Sequence, residues 1–194
     1  MKEEFKILDA RSHCRLRPQM YVGSTSSETY EQFVMGEWRH ATYVPAVNKM
    51  ISEILDNSID EYLRSNGKAA NKIDVTIRGD IVTVTDNGRG IPQEDVLTPD
   101  GDMIPRPVAA WTRNNAGTSF GENRTTIGAH GLGAALVNYM SQTFVGKTWR
   151  KGNLIQVKCT DGCMTTDVTT KNRAGNGTEV SFTPDFELFE MTSL

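Results

Sequence analysis

The run Ser52-Glu53-Ile54-Leu55-Asp56-Asn57-Ser58-Ile59-Asp60-Glu61 combines an apolar stripe with polar side chains that a core helix would not carry. Apolar residues at helical spacing predict a helix over about residues 45–65, with a stripe formed by Val47, Met50, Ile51, Ile54, Leu55 and Ile59. Glu53 and Asn57 are four residues apart, so their side chains lie together at the margin of this stripe. A carboxylate there can take a proton from water, and an amide oxygen can ligate a hard cation. The pair therefore indicates a functional site, and a solvated helix face is the alternative.

The segment after this helix has the pattern of a β-hairpin that leads into a turn with two glycines. Residues 72–78 and 81–85 alternate around Arg78-Gly79-Asp80, and Asp86-Asn87-Gly88-Arg89-Gly90-Ile91-Pro92 follows directly. A turn with glycines lets the backbone come close to a ligand, because no Cβ intervenes. Asp86 would point its carboxylate into that space, where it can accept a hydrogen bond from an exocyclic amine such as that of adenine.

A long stretch without clear periodicity precedes a second glycine cluster. Residues 93–127 contain several prolines and glycines and predict a lid or a disordered segment, with one short helix near residues 108–115. Gly128-Ala129-His130-Gly131-Leu132-Gly133 then opens a helix predicted over residues 134–144. Free backbone N–H groups at such a helix start can hold an anion, so this cluster is a candidate triphosphate cradle. His130 lies between two small residues and is interpreted as a backbone-approach or phosphate-contact position rather than a general base.

The remaining segments predict a short helix over residues 4–12, a loop with a possible short strand over residues 24–41, and three strands over residues 154–160, 164–170 and 178–183. Two familiar motifs are rejected. Gly146-Lys147-Thr148 resembles the end of a P-loop, but position 141 is not glycine and the preceding segment has a helical pattern. Gly131-Leu132-Gly133 lacks the third glycine of a dinucleotide fingerprint and follows no predicted strand.

Composition limits the class of protein. The 194 residues, of 21.5 kDa, fit one domain or one domain with a short appendage. A net charge of −3 with a pI near 5.7 does not predict nucleic-acid binding by this segment. Three cysteines without a nearby histidine argue against a zinc site and for reduced thiols in a cytoplasmic protein. No apolar run approaches the length that spans a membrane, so no membrane partner is expected.

Taken in order, these motifs resemble the GHKL (Bergerat-type) ATPase superfamily: Glu-x3-Asn on a helix, Asp-x-Gly-x-Gly after a strand, a long lid, Gly-x-His-Gly-x-Gly, and Gly-Thr on a late strand. Leu8-Asp9-Ala10, Arg17-Pro18-Gln19-Met20-Tyr21-Val22-Gly23 and Ala116-Gly117-Thr118-Ser119-Phe120 are similar to the ATPase subunit of type II DNA topoisomerases. Tyr43-Val44-Pro45 resembles the eukaryotic and T-even-phage branch of these enzymes more than gyrase. Together with residues 54–61, the combination is most similar to the large subunits of T-even-type phage topoisomerases.

The resemblance implies an α/β (α+β) two-layer sandwich. A mixed, mostly antiparallel sheet would carry helices on one face, with ATP bound between the helices and the lid. Residues 1–194 would form a single ATPase domain, with residues 1–24 as an N-terminal segment and about residues 98–130 as the ATP lid. The transducer domain of the family, which supplies a lysine to the terminal phosphate, is expected to be absent. An excised ATPase domain of this kind would bind ATP with weak hydrolysis.

The resemblance also implies roles for single residues. Glu53 would be the general base that activates water, and Asn57 would ligate the Mg²⁺ that bridges the phosphates of ATP. Asp86 would bind the adenine amine, with Thr178 supporting it through a shared water.

The other implied nucleotide contacts surround these groups. Arg89 would pair with Glu61 and cover the adenine, and Arg150 would lie at the pocket mouth. Arg124 stands where gyrase has a lysine close to the phosphates. The further contacts are Asp60, Asn87, Gly88, Gly90, Ile91, Pro92, Ser119, Gly128, Ala129, His130, Gly131, Leu132 and Gly133.

In the full enzyme, the resemblance implies that ATP binding closes two such domains into a homodimer that captures a DNA duplex. DNA and other topoisomerase subunits would be the partners, in the cytoplasm of the host if the protein is phage-encoded. Two alternatives remain open: a GHKL ATPase of the mismatch-repair or chaperone type, and a nucleotide-sensing dimerisation module. A histidine-kinase core is disfavoured, because no phospho-acceptor helix is evident.

Overall fold

The computed structural model describes residues 7–114, 116 and 132–194. Its helices are α1 (Ala10–Leu16), α2 (Gln19–Val22), α3 (Pro45–Arg64), α4 (Arg106–Thr112) and α5 (Gly133–Tyr139). Its strands are β1 (Glu28–Val34), β2 (Glu37–Tyr43), β3 (Ile73–Arg78), β4 (Ile81–Asp86), β5 (Asp95–Leu97), β6 (Met103–Pro105), β7 (Ser141–Arg150), β8 (Asn153–Thr160), β9 (Thr165–Asn172) and β10 (Gly177–Pro184).

A six-stranded sheet in the order β3-β4-β10-β7-β8-β9 is the main layer, and its described pairings are all antiparallel. Alternate residues of its central strands are buried, as in Val82 and Val84 of β4 and Val180 and Phe182 of β10. These side chains share one core with apolar residues of α3, α4 and α5. The predicted two-layer sandwich, with helices on one face of the sheet, is confirmed.

The central helix, α3, lies within one residue of its predicted bounds. Pro45 occupies its first turn, where a missing N–H costs nothing, and Arg64 lies in its last turn. Val47, Met50 and Ile54 of the predicted stripe are buried, whereas its other members are half-buried. The helix therefore packs one side on the sheet and leaves its polar margin facing a cavity.

Three predicted elements are wrong in place or type. The helix predicted over residues 4–12 is instead described at Ala10–Leu16, because the Asp9 side chain caps it by accepting from Ser12 N at 2.9 Å. Residues 7–9 are not helical, and residues 4–6 lie outside the described residues. Residues 24–41 are not mainly loop, since β1 and β2 form an antiparallel hairpin. The helix predicted over residues 134–144 ends at Tyr139, and β7 takes up residues 141–150.

The stretch predicted to be irregular contains structure in its described part. β5 and β6 form a short hairpin, and α4 follows it at once. Trp111 of α4 is only 2% exposed and packs against Phe144, so this helix belongs to the core. The rest of the predicted lid, at residues 115 and 117–131, lies outside the described residues. Within the described residues, no helix combines the length and hydropathy needed to cross a membrane.

Phe144→Ala should destabilise the fold by about 3–5 kcal/mol, because the ring is completely buried and its loss leaves a cavity. Urea denaturation followed by circular dichroism measures the change. Phe33→Ala is the matched control, since Phe33 is 63% exposed on the β1–β2 hairpin and its loss should cost less than about 1 kcal/mol. Equal destabilisation by the two changes would contradict this assignment of the core.

Candidate active site

A cavity of about 1030 Å³ opens between α3, α4, the start of α5 and the sheet strands β4 and β10. Its size is at the upper end of the range for sites that bind small molecules and cofactors. Glu53 and Asn57 reach it from α3, Asp86 and Thr178 reach it from the sheet, and Gly133 borders it at the start of α5. The polar residues that the sequence singled out on separate elements therefore meet in one place.

The floor of the cavity carries a buried carboxylate. Asp86 is 7% exposed, and its Oδ2 accepts a hydrogen bond from Ser58 Oγ at 2.9 Å. Its Oδ1 accepts from Gly88 N at 2.8 Å. Burial raises the pKa of Asp86, although both hydrogen bonds oppose the rise. Thr178 lies opposite Asp86 in the pairing of β10 with β4. The carboxylate is thus fixed in orientation, and its oxygens retain lone pairs for a ligand.

The turn after β4 packs so closely on the sheet that its glycines cannot be replaced without movement. Gly90 has φ +72°, and a Cβ there would lie 2.5 Å from Trp149 O. A Cβ on Gly88 would lie 2.6 Å from Asp86 Oδ1. Ile91 N donates to Thr148 Oγ1 at 2.8 Å. The sequence associated these glycines with approach to a ligand; the structure shows that packing against β7 and Asp86 also requires them.

Another carboxylate that lines the cavity lies on α3, beside the start of α5. Glu53 has 22% of its side chain exposed and forms an ion pair with Lys49, with Nζ 2.5 Å from Oε1. Its Oε2 lies against the Cα of Gly133, where any Cβ would overlap it. Asn57 is exposed one turn further along α3 and lines the same cavity. A carboxylate and an amide one turn apart on α3 therefore face the same cavity.

The predicted pairing of Arg89 with Glu61 is confirmed. Arg89 Nε lies 2.7 Å from Glu61 Oε1, its Nη2 lies 2.9 Å from Oε2, and its backbone N donates to Oε1 at 3.1 Å. These hydrogen bonds hold the pKa of the Glu61 carboxyl below its usual range. The bidentate pair ties the turn after β4 to α3. Arg89 itself does not line the cavity.

The structure brings most of the predicted site together and separates some of it. The described residues that line the cavity are Glu53, Asn57, Asp60, Glu61, Asp86, Gly90, Ile91, Pro92, Leu132, Gly133 and Thr178. Those that do not line it are Asn87, Gly88, Arg89 and Arg150. Ser119, Arg124, Gly128, Ala129, His130 and Gly131 lie outside the described residues.

Two of the residues outside the cavity have clear alternative partners. Asn87 turns toward the start of β3, where its Oδ1 accepts from Lys72 N at 3.0 Å and its Nδ2 donates to Asn71 Oδ1 at 2.8 Å. Arg150 donates to Gly90 O at 3.2 Å and lines a smaller neighbouring cleft that also touches Pro92. Arg150 therefore lies beside the turn, and its place at the pocket mouth stays a prediction.

Sequence reasoning missed three residues that shape the site. Lys49 lies four residues before Glu53, a spacing that favours an ion pair on a helix. Ser58 is a buried hydroxyl within an apolar stripe, which should have indicated a polar partner in the core. Thr148 gave no signal of this kind, because no strand was predicted over the residues that form β7.

Comparison with protein families gives one match that covers most of the chain. The sequence model described as "Histidine kinase-, DNA gyrase B-, and HSP90-like ATPase" matches residues 43–188. The chain is 47% identical, over 196 residues, to the DNA topoisomerase large subunit of Enterobacteria phage T4, and the match covers 100% of the chain and 38% of that protein. It is 29% identical to the DNA topoisomerase 2 of Arabidopsis thaliana, over 100% of the chain and 14% of that protein.

Solved structures give the same outcome. The ATPase region of Saccharomyces cerevisiae topoisomerase II superposes with a TM-score of 0.83 at 25% identity, over 98% of this chain and 53% of that one. The ATPase and transducer domains of topoisomerase II from Balamuthia mandrillaris superpose with a TM-score of 0.85 at 26% identity, over 98% and 52%. The chain thus spans about half of these structures and less than two fifths of the curated relatives above.

Proposed function

Because the chain belongs to the family of histidine kinase-, DNA gyrase B- and HSP90-like ATPases, we propose that it binds ATP in the cavity beside α3 and hydrolyses it. The observation that carries the proposal is the position of Asp86. It is a buried carboxylate at the cavity floor, held by Ser58 and Gly88, with acceptor capacity left over. Such a group selects a ligand that presents a hydrogen-bond donor, as the adenine amine does.

The residues around Asp86 suit a nucleotide. Thr178 is paired with Asp86 on the next strand and can share its contact with the base. Ile91 and Pro92 give the cavity an apolar wall, and Gly133 lines it at the start of α5. The start of α5 would hold phosphates together with the glycine cluster at residues 128–131, which lies outside the described residues.

The hydrolytic role belongs to Glu53 in this proposal. Its carboxylate borders Gly133, where the phosphates would lie, and Lys49 holds one of its oxygens in place. Glu53 would take a proton from the attacking water as general base. Asn57 would hold Mg²⁺, which neutralises charge on the phosphates when bound. The Asn57 amide oxygen is a ligand of the kind that Mg²⁺ accepts, and Asn57 lines the same cavity as Glu53.

The wider function follows from the relatives. We propose that the chain is the ATPase domain of a type II DNA topoisomerase, in which ATP closes two copies into a dimer around a DNA duplex. DNA, a partner subunit and the host cytoplasm of a phage-encoded protein belong to this proposal. The topoisomerase relatives support it over a mismatch-repair or chaperone ATPase. ATP-dependent relaxation of supercoiled DNA by the complete protein with its partner subunit would decide between these classes.

The nucleotide site can be tested on the 194-residue chain by thermal unfolding. With Mg²⁺ and a non-hydrolysable ATP analogue at 100 times its dissociation constant, the fold should gain about 2.7 kcal/mol of stability. The matching GTP analogue should give a much smaller shift, because guanine presents an oxygen where adenine presents its amine. Absence of a shift with the ATP analogue, or equal shifts with both, would contradict the proposal.

A further inference from the structure

A row of polar side chains crosses the centre of the sheet beneath the cavity. Asp86 on β4 lies opposite Thr178 on β10, and Thr178 lies opposite Thr148 on β7. Residues paired in this way project from the same face of a sheet. Asp86 and Thr178 line the cavity, whereas Thr148 is completely buried and does not line it. The row therefore continues beneath the turn after β4, whose residues 90–92 form one wall of the cavity.

The hydroxyl of Thr148 connects that wall to two strands. It accepts a hydrogen bond from Ile91 N at 2.8 Å and donates to Gly177 O at 3.4 Å. A hydroxyl can do both at once, because it has one proton and two lone pairs. The backbone of the turn is thereby attached to β7, which carries Thr148, and to the start of β10.

The turn is fixed at both of its ends. At the first end, Gly88 N donates to Asp86 Oδ1, and at the second Ile91 N donates to Thr148. Gly90 lies between them and rests directly on β7, with no room for a side chain beside Trp149 O. Residues 90–92 form the wall of the cavity, so its distance from the floor depends on these two attachments.

We propose that Thr148 is a positioning residue for nucleotide binding, and that its hydroxyl sets the place of the wall at residues 90–92 through the backbone of Ile91. This inference rests on the proposed ATP-binding function of the same cavity. Thr148 does not touch the ligand. Without its hydroxyl, the partly buried N–H of Ile91 loses its acceptor, and the wall is no longer held at a fixed distance from Asp86.

The test compares three variants of the 194-residue chain with the wild type. Calorimetric titration measures affinity for Mg²⁺ with the non-hydrolysable ATP analogue, and urea denaturation measures stability without ligand. Thr148→Val keeps the shape and removes the hydroxyl, and we expect affinity to fall about tenfold. Thr148→Ser keeps the hydroxyl and should stay within about twofold of the wild type.

Thr83→Val is the matched control. Thr83 Oγ1 and Ser181 Oγ share a hydrogen bond of 2.9 Å between β4 and β10, and alternation places this pair on the face of the sheet away from Asp86. Its loss should lower stability and leave affinity unchanged. If Thr148→Val does not fold, Thr148→Ala removes the same hydroxyl and adds no volume, and the expectation for affinity is the same.

The outcomes are distinguishable. A drop in affinity with Thr148→Val, restored in Thr148→Ser and absent in Thr83→Val, supports the positioning role. Wild-type affinity in a folded Thr148→Val or Thr148→Ala chain overturns it, even if stability falls, because a merely structural hydroxyl would behave in that way. Absence of binding by the wild type overturns the proposed function and this inference with it.

Discussion

Glu53→Gln in the full-length protein should reduce ATP turnover by about 10²–10⁴-fold, or about 3–5 kcal/mol of barrier, while nucleotide still binds. The amide has the shape of the carboxylate but cannot take a proton from water. Glu53 borders Gly133, whereas Asp86 is held by Ser58 and Gly88, so this change should not disturb contacts with the adenine of the nucleotide. Turnover is measured by phosphate release, and binding by titration with the non-hydrolysable analogue.

A matched control separates this effect from a general loss of charge. Glu31→Gln removes a carboxylate from an exposed position on the β1–β2 hairpin and should keep wild-type turnover. ATP-dependent relaxation of DNA should follow turnover in both variants. Turnover of Glu53→Gln within a few-fold of the wild type would exclude Glu53 as the general base.

Asp86→Ala should abolish detectable binding of the ATP analogue to the 194-residue chain. The adenine amine would be buried at the cavity floor without its acceptor, and Ser58 and Gly88 would lose theirs as well. Binding is measured as the shift in thermal unfolding on addition of nucleotide. Asp167→Ala, on exposed β9, is the control and should keep the wild-type shift. Unchanged affinity of Asp86→Ala would exclude Asp86 as the group that recognises the base.

The same variant has a second effect that does not involve ligand. Burial raises the pKa of Asp86 above its ordinary value of 3.8, so the native state binds this proton more tightly than the unfolded state does. The stability that this group contributes is present below that ordinary value and is lost as pH rises through the raised pKa. Removing the carboxylate should flatten this part of the dependence of unfolding free energy on pH, which denaturation at several pH values measures.

The parts of the site that could be predicted from sequence lie on elements specified by local patterns. The apolar stripe and Pro45 locate α3 to within one residue. Alternation on either side of Gly79 locates β3 and β4, and with them Asp86. Glu53 and Asp86, chosen on different elements, line the same cavity in the structure. The motifs did not supply the partners that hold these groups, because neither Lys49 nor Ser58 belongs to a motif. Their signals were weaker ones, the i,i+4 spacing of Lys49 and Glu53 and a hydroxyl beside apolar helix residues.

Strand β7 could not be predicted, because its pairing is not local. Apolar residues continue at helical spacing from Leu136 to Phe144, which favours a longer helix. The strand forms instead because β10 and β8 pair with it on both sides. Glycine is uncommon inside strands, so Gly146 in the middle of β7 gave no strand signal. It is required there because a Cβ on Gly146 would lie only 2.5 Å from the ring of Trp111. With residues 141–144 assigned to a helix and residues 145–150 to no element, Thr148 had no predicted place in the sheet.

The β1–β2 hairpin escaped prediction for a different reason. Its side chains are largely exposed on both faces, so no hydrophobic alternation marks the strands. Its turn, Met35-Gly36, has positive φ at both residues, 52° and 90°. Turns of this kind usually carry asparagine or aspartate at the first position, and methionine there gives no turn signal.

The place of β10 in the sheet governs how the domain can be made on the ribosome. This last strand inserts between β4 and β7, which do not pair with each other. During synthesis, the β3–β4 hairpin and the meander of β7, β8 and β9 emerge as two separate half-sheets with open edges and uncovered apolar residues. They join only when residues 177–184 have left the exit tunnel, and Thr178 reaches Asp86 in the same step. The nascent chain therefore exposes open strand edges until residues 177–184 arrive, and the cavity beside Asp86 is completed only in that step.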